Sequence, residues 1–241
     1  MARVSICFFL TFRNLARPQA RISETDKSRF VKIVRATPGL RKACVHEPED
    51  ASDPYLDDGA PPQLAAQLYF ADIADLEAAL ARTGHLQALA APDAFPSLSG
   101  TAVTQQAMLA RTFPVLDPTF RIAADRLPCT YLVSYEGHAE DLNGWLHHYI
   151  ANHPPLMAKF PGIREIEVCT RIDWCGFLPW PRVDYMLRNK VVFDHAAALS
   201  AALHSPVRHE MRADYMRFPA FTGPVSHYPM ATLATLPVSE R

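Results

Sequence analysis

One histidine stands where an ordinary core residue is expected. Over 140–153, Leu142, Trp145, Leu146, Tyr149 and Ile150 recur at helical spacing, so they share one face of a helix. His153 falls in the middle of that face and is predicted to point toward protein rather than water. A buried imidazole has its pKa displaced and can trade a proton near neutral pH, which suits a general acid or base. Pro154-Pro155 follow directly. Proline disfavours helical geometry in the residue before it and brings no N–H, so the helix is predicted to kink or end at His153, with backbone polar groups left free beside the ring. A core histidine bonded to one of those freed carbonyls is the alternative reading of the same residues.

Aromatic residues could complete a site. Tyr131, Trp145, Tyr149 and Tyr228 could wall a pocket for a flat apolar molecule, with His148 beside it and His227 reaching it from the last strand. His153 would then move a proton next to a carbonyl while a tyrosine hydroxyl steadies the enolate. No metal centre is expected: His147, His148 and His153 share a helix but project in different directions, and Cys169, Asp173 and Cys175 do not make up four ligands. No cysteine has an evident base nearby in sequence.

The elements that must position these residues come in two similar sets. At one constant offset, Pro38-Gly39-x-Arg41 falls on Pro161-Gly162-x-Arg164, Phe70 on Phe193, and Ala78-Ala79-Leu80 on Ala201-Ala202-Leu203. Phe95-Pro96 to Gly100 falls on Phe218-Pro219 to Gly223, and Thr112-x-Pro114-Val115 on Thr235-x-Pro237-Val238. Such self-similarity is the mark of a duplicated unit. In the first half, periodicity and turn residues predict strands over 4–12, 40–46, 63–70 and 101–112, a helix over 24–36 capped by Ser23, a helix from Asp72, and a short helical stretch over 85–91. In the second they predict strands over 129–135, 163–172, 183–193 and 225–235, and helices over 140–153, 194–203 and 206–215; Pro229 marks an edge or bulge in the last strand. The order β-α-β-β-α-β is the ferredoxin-like unit. Its bare apolar sheet face needs a partner, so the predicted fold is α+β: two such repeats, residues 1–118 and 124–241, packed sheet-to-sheet as a barrel within one chain.

The halves differ in chemistry. Eight of the ten histidines and all three tryptophans lie in the second half, and the first half has Phe30 where the second has His153. The loop 173–181 is apolar where its counterpart 50–58 is acidic, which predicts a lid or a subunit contact, with a homodimer through 173–181 the favoured form. A net charge of −1 argues against nucleic acid or an anionic membrane as partner. The apolar run 4–10 is too short to span a bilayer and has no small-residue cleavage site after it. Five cysteines without CxxC spacing predict reduced thiols and a cytoplasmic protein.

The segment His148-Tyr149-Ile150-Ala151-Asn152-His153-Pro154-Pro155-Leu156-Met157-Ala158-Lys159-Phe160-Pro161-Gly162-Ile163 resembles the signature of the EthD-like family of the dimeric α/β-barrel superfamily. Phe193 to Leu199, Asp214, Phe218-Pro219 and Gly223 are similar to the same family's later part. The resemblance covers about residues 129–236; the first half keeps only its frame and departs at Phe30. It implies a ferredoxin-like barrel with a pocket between sheet and helices, and a small cyclic, aromatic or polyketide-type ligand. It also implies a cofactor-free isomerase, cyclase or monooxygenase in which His153 is the acid/base. Two other functions stand beside it. One is a non-catalytic small-molecule binder or accessory protein of an oxygenase system. The other is haem binding, as in chlorite dismutase-like chains, through His153, His148 or His209.

Overall fold

The computed structural model describes residues 4–235; Pro237 and Val238 of the repeated motif lie outside them. The elements follow in the order β1 (Val4–Arg13), α1 (Glu24–Arg35), β2 (Leu40–Pro48), β3 (Leu64–Phe70), α2 (Ile73–Leu80), β4 (Ala102–Phe113), β5 (Cys129–Tyr135), a short β6 (His138–Ala139), α3 (Leu142–Met157), β7 (Ile163–Arg171), β8 (Leu187–Phe193), α4 (Ala196–Leu203), α5 (Pro206–Tyr215), a short β9 (Phe221–Thr222) and β10 (Val225–Thr235). Eight strands close into one antiparallel barrel in the order β1-β3-β2-β10-β5-β8-β7-β4. Strands of the two halves join edge to edge, β2 with β10 and β4 with β7. Closure leaves no free edge, and the inner faces meet across a common interior.

Local signals explain most boundaries. Ser23 caps α1 by accepting from the Asp26 amide, and Asp72 does the same for α2. Gly39 and Gly162 both hold φ +76 at the helix-to-strand turn, a conformation glycine adopts without penalty. Pro229 is carried inside β10, opposite Tyr131 of β5. Its carbonyl faces β2 and accepts from Glu49 N at 3.2 Å, and the β2 ladder begins only at Met230. The missing N–H therefore costs no hydrogen bond. Of the two predicted outcomes, a kink or an end at His153, the end does not occur: α3 runs through both prolines to Met157, where Ala158 N–H bonds back to Pro154 O at 3.0 Å. Pro154 and Met157 are themselves buried, and that packing outweighs the preference of the pre-proline residue. The strand β8 starts at Leu187, later than the predicted 183.

Alternation along the strands sorts side chains to two sides. Outward-facing Phe8, Leu10, Phe12, Leu64, Leu68 and Phe70 pack under α1 and α2, and outward-facing Tyr131, Val133, Tyr135, Ile166, Val191 and Phe193 pack under α3, α4 and α5. The apolar loop 173–181 lies over the first of these cores. Trp174 meets Phe8 edge-on at 5.3 Å, Trp180 meets Phe12 at 5.6 Å, and Phe177 N–H bonds Leu80 O at 2.9 Å. The loop's apolar character thus has a use within the chain, with Phe177 remaining exposed.

The barrel interior is mixed, where an apolar sheet face was predicted: Cys7, Phe9, Cys44, Met108 and Cys169 form a buried apolar cluster, and a polar chain runs beside it. Thr130 and Thr232 hydroxyls meet at 2.6 Å, Thr232 reaches His46 Nδ1 at 2.8 Å, and His46 Nε2 reaches Gln67 Oε1 at 3.1 Å. Gln67 Nε2 and the Tyr69 hydroxyl both donate to Glu167 Oε1, at 3.0 and 2.8 Å, and Lys190 donates to the Tyr69 oxygen at 2.9 Å. His46 is fully buried. Burial above all, with Lys190 nearby, lowers its pKa from 6.5 to about 3. The unfolded chain therefore takes up this proton first on acidification. Stability is whole above about pH 6.5 and declines as pH falls toward about 3, with a slope approaching 1.4 kcal/mol per pH unit. Urea unfolding between pH 7 and 4 should show this decline, and the His46→Gln variant should lack that component of it.

Candidate active site

The helix α3 carries His153 into the second core, where the residue is 6% exposed. Its Nδ1 lies 2.7 Å from Asp214 Oδ2 on α5. With the carboxylate accepting, Nδ1 carries the proton and Nε2 keeps a lone pair. That second nitrogen is the one available for chemistry. Burial lowers the His153 pKa; the bond and charge of Asp214 pull the other way, and Arg208 and His227 lower it further. The net effect is a neutral imidazole at pH 7. Burial would raise the Asp214 pKa, but His153 and then His148 hold it below the ordinary carboxylate value. His148 Nε2 stands 3.4 Å from the other carboxylate oxygen.

Two adjoining cavities of about 50 and 200 Å³ meet at His153, and Arg208, Met211 and His227 line both. Tyr131, Val133, Asn189 and Val191 of the sheet wall the inner one, with Met157 of α3 and Leu203 of α4. Asn189 Nδ2 donates to the Tyr149 hydroxyl at 2.6 Å, while its Oδ1 is buried without a protein partner. A buried acceptor of this kind is costly unless a water or ligand donates to it.

The first half closes the site. Its loop 49–63 sends Asp53 to Arg208, at 3.1 Å from Nε and 2.8 Å from Nη2, and to the Tyr131 hydroxyl at 3.0 Å. Asp58 accepts from both the backbone N–H and Nδ1 of His227 at 2.8 Å. His227 is thereby held as His153 is, with Nδ1 bonded to a carboxylate. Burial would raise the Asp58 pKa, but His227 keeps it low. Tyr55 on the same loop bonds His209 and lies under the Arg212 guanidinium at 4.7 Å.

The structure brings together three of the residues singled out from sequence: His153, Tyr131 and His227. His148 adjoins them through Asp214. Trp145 and Tyr149 are fully buried in an aromatic cluster, their rings stacked at 5.3 Å and meeting Tyr135 edge-on, and they line none of the described cavities. Tyr228 follows His227 on the strand and so faces the other way, into the barrel, where it bonds Arg13. The Tyr131 hydroxyl is committed to Asp53, so the donor placed to meet a developing oxyanion is Arg208, through the Nη1 that its own bonds to Asp53 leave over; His227, with Nδ1 given to Asp58, offers an acceptor at Nε2. Asp214, Arg208, Asn189, Asp53 and Asp58 join the site without having been picked out as members. Asp214 alone had a sequence signal, as a residue of the recurring EthD-like pattern.

Two places hold ligand-type donors. Within the barrel, Cys7, Glu167 and Cys169 place ligand-type atoms within 4.8 Å of one another, but the carboxylate already accepts from Gln67 and Tyr69. An iron-ligating imidazole can be held as His153 is, its far nitrogen fixed by a carboxylate. The spaces beside it, of about 50 and 200 Å³, suit two or three fused rings and do not fit a haem macrocycle. Replacing Asp214 with Asn tests the pair: the His153 titration followed by NMR should move to still lower pH, because the charge that raises its pKa is gone.

No family model and no curated protein matches this chain. Solved structures do. An anthrone oxidase-like protein superposes with a TM-score of 0.62 at 14% identity, over 97% of this chain and 93% of its own. A monooxygenase candidate from Fusobacterium nucleatum gives 0.56 at 8% identity, over 96% and 93%. One from Lactobacillus acidophilus NCFM gives 0.54 at 11%, over 96% of each. These are α/β-barrel proteins, and the likeness is one of fold. No helix among the described residues is long and apolar enough to cross a membrane.

Proposed function

We propose that the chain is a tandem pair of ferredoxin-like repeats, EthD-like in the second, that binds a small cyclic or aromatic ketone and enolises it without a cofactor. The reading rests on one observation above the rest: a buried histidine with Nδ1 fixed by Asp214 and Nε2 left free beside two adjoining cavities. In the step, His153 Nε2 takes a proton from the carbon next to the carbonyl. The C–H electron pair moves into the new C–C double bond, and the carbonyl oxygen becomes an enolate facing Arg208. Return of the proton to the same carbon completes an exchange; where a C–C double bond of the ligand is conjugated with the enolate, its return to the far end of that bond completes an isomerisation. The Asn189 Oδ1 would accept from a hydroxyl on the ligand. The strand order β4-β1-β3-β2, repeated as β10-β5-β8-β7, supports the tandem reading, and Phe30 in place of the histidine supports a first repeat without this chemistry.

2-Tetralone in deuterated buffer is a suitable probe, having C–H bonds next to its carbonyl. Loss of the signal of the exchangeable C–H, followed by NMR, should be faster with protein than in buffer alone. Unaccelerated exchange accompanied by tight binding would favour the non-catalytic binder.

A further inference from the structure

The barrel holds a second cavity, separate from the one beneath the helices. It occupies about 170 Å³ at one mouth of the barrel and reaches inward to His46 and Gln67. Its walls are mixed: Phe9, Ala65, Leu132 and Tyr228 give apolar surface, while Arg13, Arg188, Glu136 and Tyr185 supply polar groups. Arg188 is the unusual member. It is 8% exposed, and its guanidinium is sandwiched by the rings of Phe9 at 4.7 Å and Tyr185 at 4.5 Å. Its one hydrogen bond among the described residues is a long 3.4 Å contact from Nε to Gln106 Oε1, and none of the described carboxylates lies within ion-pair distance of it.

A guanidinium stays charged in proteins, and burying an uncompensated charge is costly. The remaining charges at this mouth do not cancel it. Arg13 adds a second positive group, bonded to Ala60 O at 3.0 Å and to the Tyr228 hydroxyl. Glu136 is the one carboxylate lining the cavity; it accepts from Ser226 Oγ at 2.9 Å. Two guanidiniums therefore face one carboxylate. Deeper in, Lys190 has its own partners, Glu165 and Glu167. Stacking rings that hold a guanidinium flat, with donors unspent and apolar wall beside it, form a receptor for a planar carboxylate.

We propose that the barrel mouth is a second ligand site, for a small organic carboxylate whose oxygens meet Arg188 and whose body lies against Phe9, Leu132 and Tyr228. The site is independent of the His153 pocket, since the sheet lies between them.

Benzoate and its uncharged analogue benzamide are the probes, with calorimetric titration as the readout. Benzoate should bind wild type and the His153→Gln variant alike, and benzamide should bind about tenfold more weakly or worse. Arg188→Gln should weaken benzoate by a similar or larger factor. Thr104→Trp, which fills the mouth while leaving Arg188 in place, should also abolish binding, so the proposal does not depend on one variant folding. Absence of benzoate binding to wild type at millimolar concentration would overturn the proposal. So would equal binding of benzamide, or benzoate binding that survives both Arg188→Gln and Thr104→Trp.

Discussion

His153→Gln should slow protein-accelerated deuterium exchange of 2-tetralone by about 10²–10⁴-fold, the usual contribution of a positioned general base. Glutamine keeps a donor that can reach Asp214 and fills most of the same space, so the fold and the pocket should persist. It cannot accept a proton at ordinary pH. The loss should therefore fall on the rate of exchange, while the affinity of the ketone changes little. The anchored imidazole is matched to the task by opposing influences: burial and the positive Arg208 disfavour the imidazolium, and Asp214 favours it. A variant with unchanged exchange would remove His153 from the chemistry and leave the pocket as a binding site.

Lys190→Met should destabilise the protein by about 3–5 kcal/mol, the cost of leaving a buried ion pair with one partner missing. For a chain of this size that is a fall in melting temperature of roughly 6–20 °C. Lys190 is 2% exposed. It lies 3.0 Å from Glu165 and 3.8 Å from Glu167 and donates to Tyr69. Burial would lower its pKa, but Glu167 and the other neighbouring negative groups raise it on balance. Methionine would leave the two carboxylates facing each other inside the barrel. The surface pair of Lys159 and Glu210 is as short, at 2.8 Å, but half exposed. Lys159→Met should cost less than about 1 kcal/mol. Calorimetric melting of the two variants compares them directly, and equal effects would show that the barrel interior is wetter than its packing implies.

The element order was legible in the sequence because each element carries its own signal. Strands show as short apolar runs, helices as apolar residues three and four apart, and turns as Pro-Gly at matched positions. The course of α3 past His153 was not legible, because proline preference is local and the burial of Pro154 and Met157 is decided by the tertiary structure. Of the site, His153 was legible as a titratable group on an apolar stripe. Tyr131 and His227 could be placed on strands, but the choice of Tyr228 as a wall failed on a two-residue period: neighbours on a strand face opposite ways. Trp145 and Tyr149 read equally as pocket wall or core, and the aromatic cluster around Tyr135 takes them both. The contributions of Asp53 and Asp58 lay beyond sequence reasoning. They sit in an irregular loop of the other half, and only barrel closure brings that loop over the second half's helices. The same closure sends Trp174 and Trp180 the opposite way, over the first half's core.

The pH dependence of wild-type exchange, measured beside that of Asp214→Asn, tests the account most directly. A neutral His153 acting as base predicts a rate that is level above about pH 6.5 and falls on acidification with an apparent pKa below 6.5. In Asp214→Asn that pKa should move lower still, with a slower plateau. A flat profile, or an acid limb that stays in place when Asp214 is replaced, would contradict the assignment of His153 and Asp214 as the proton-transferring pair.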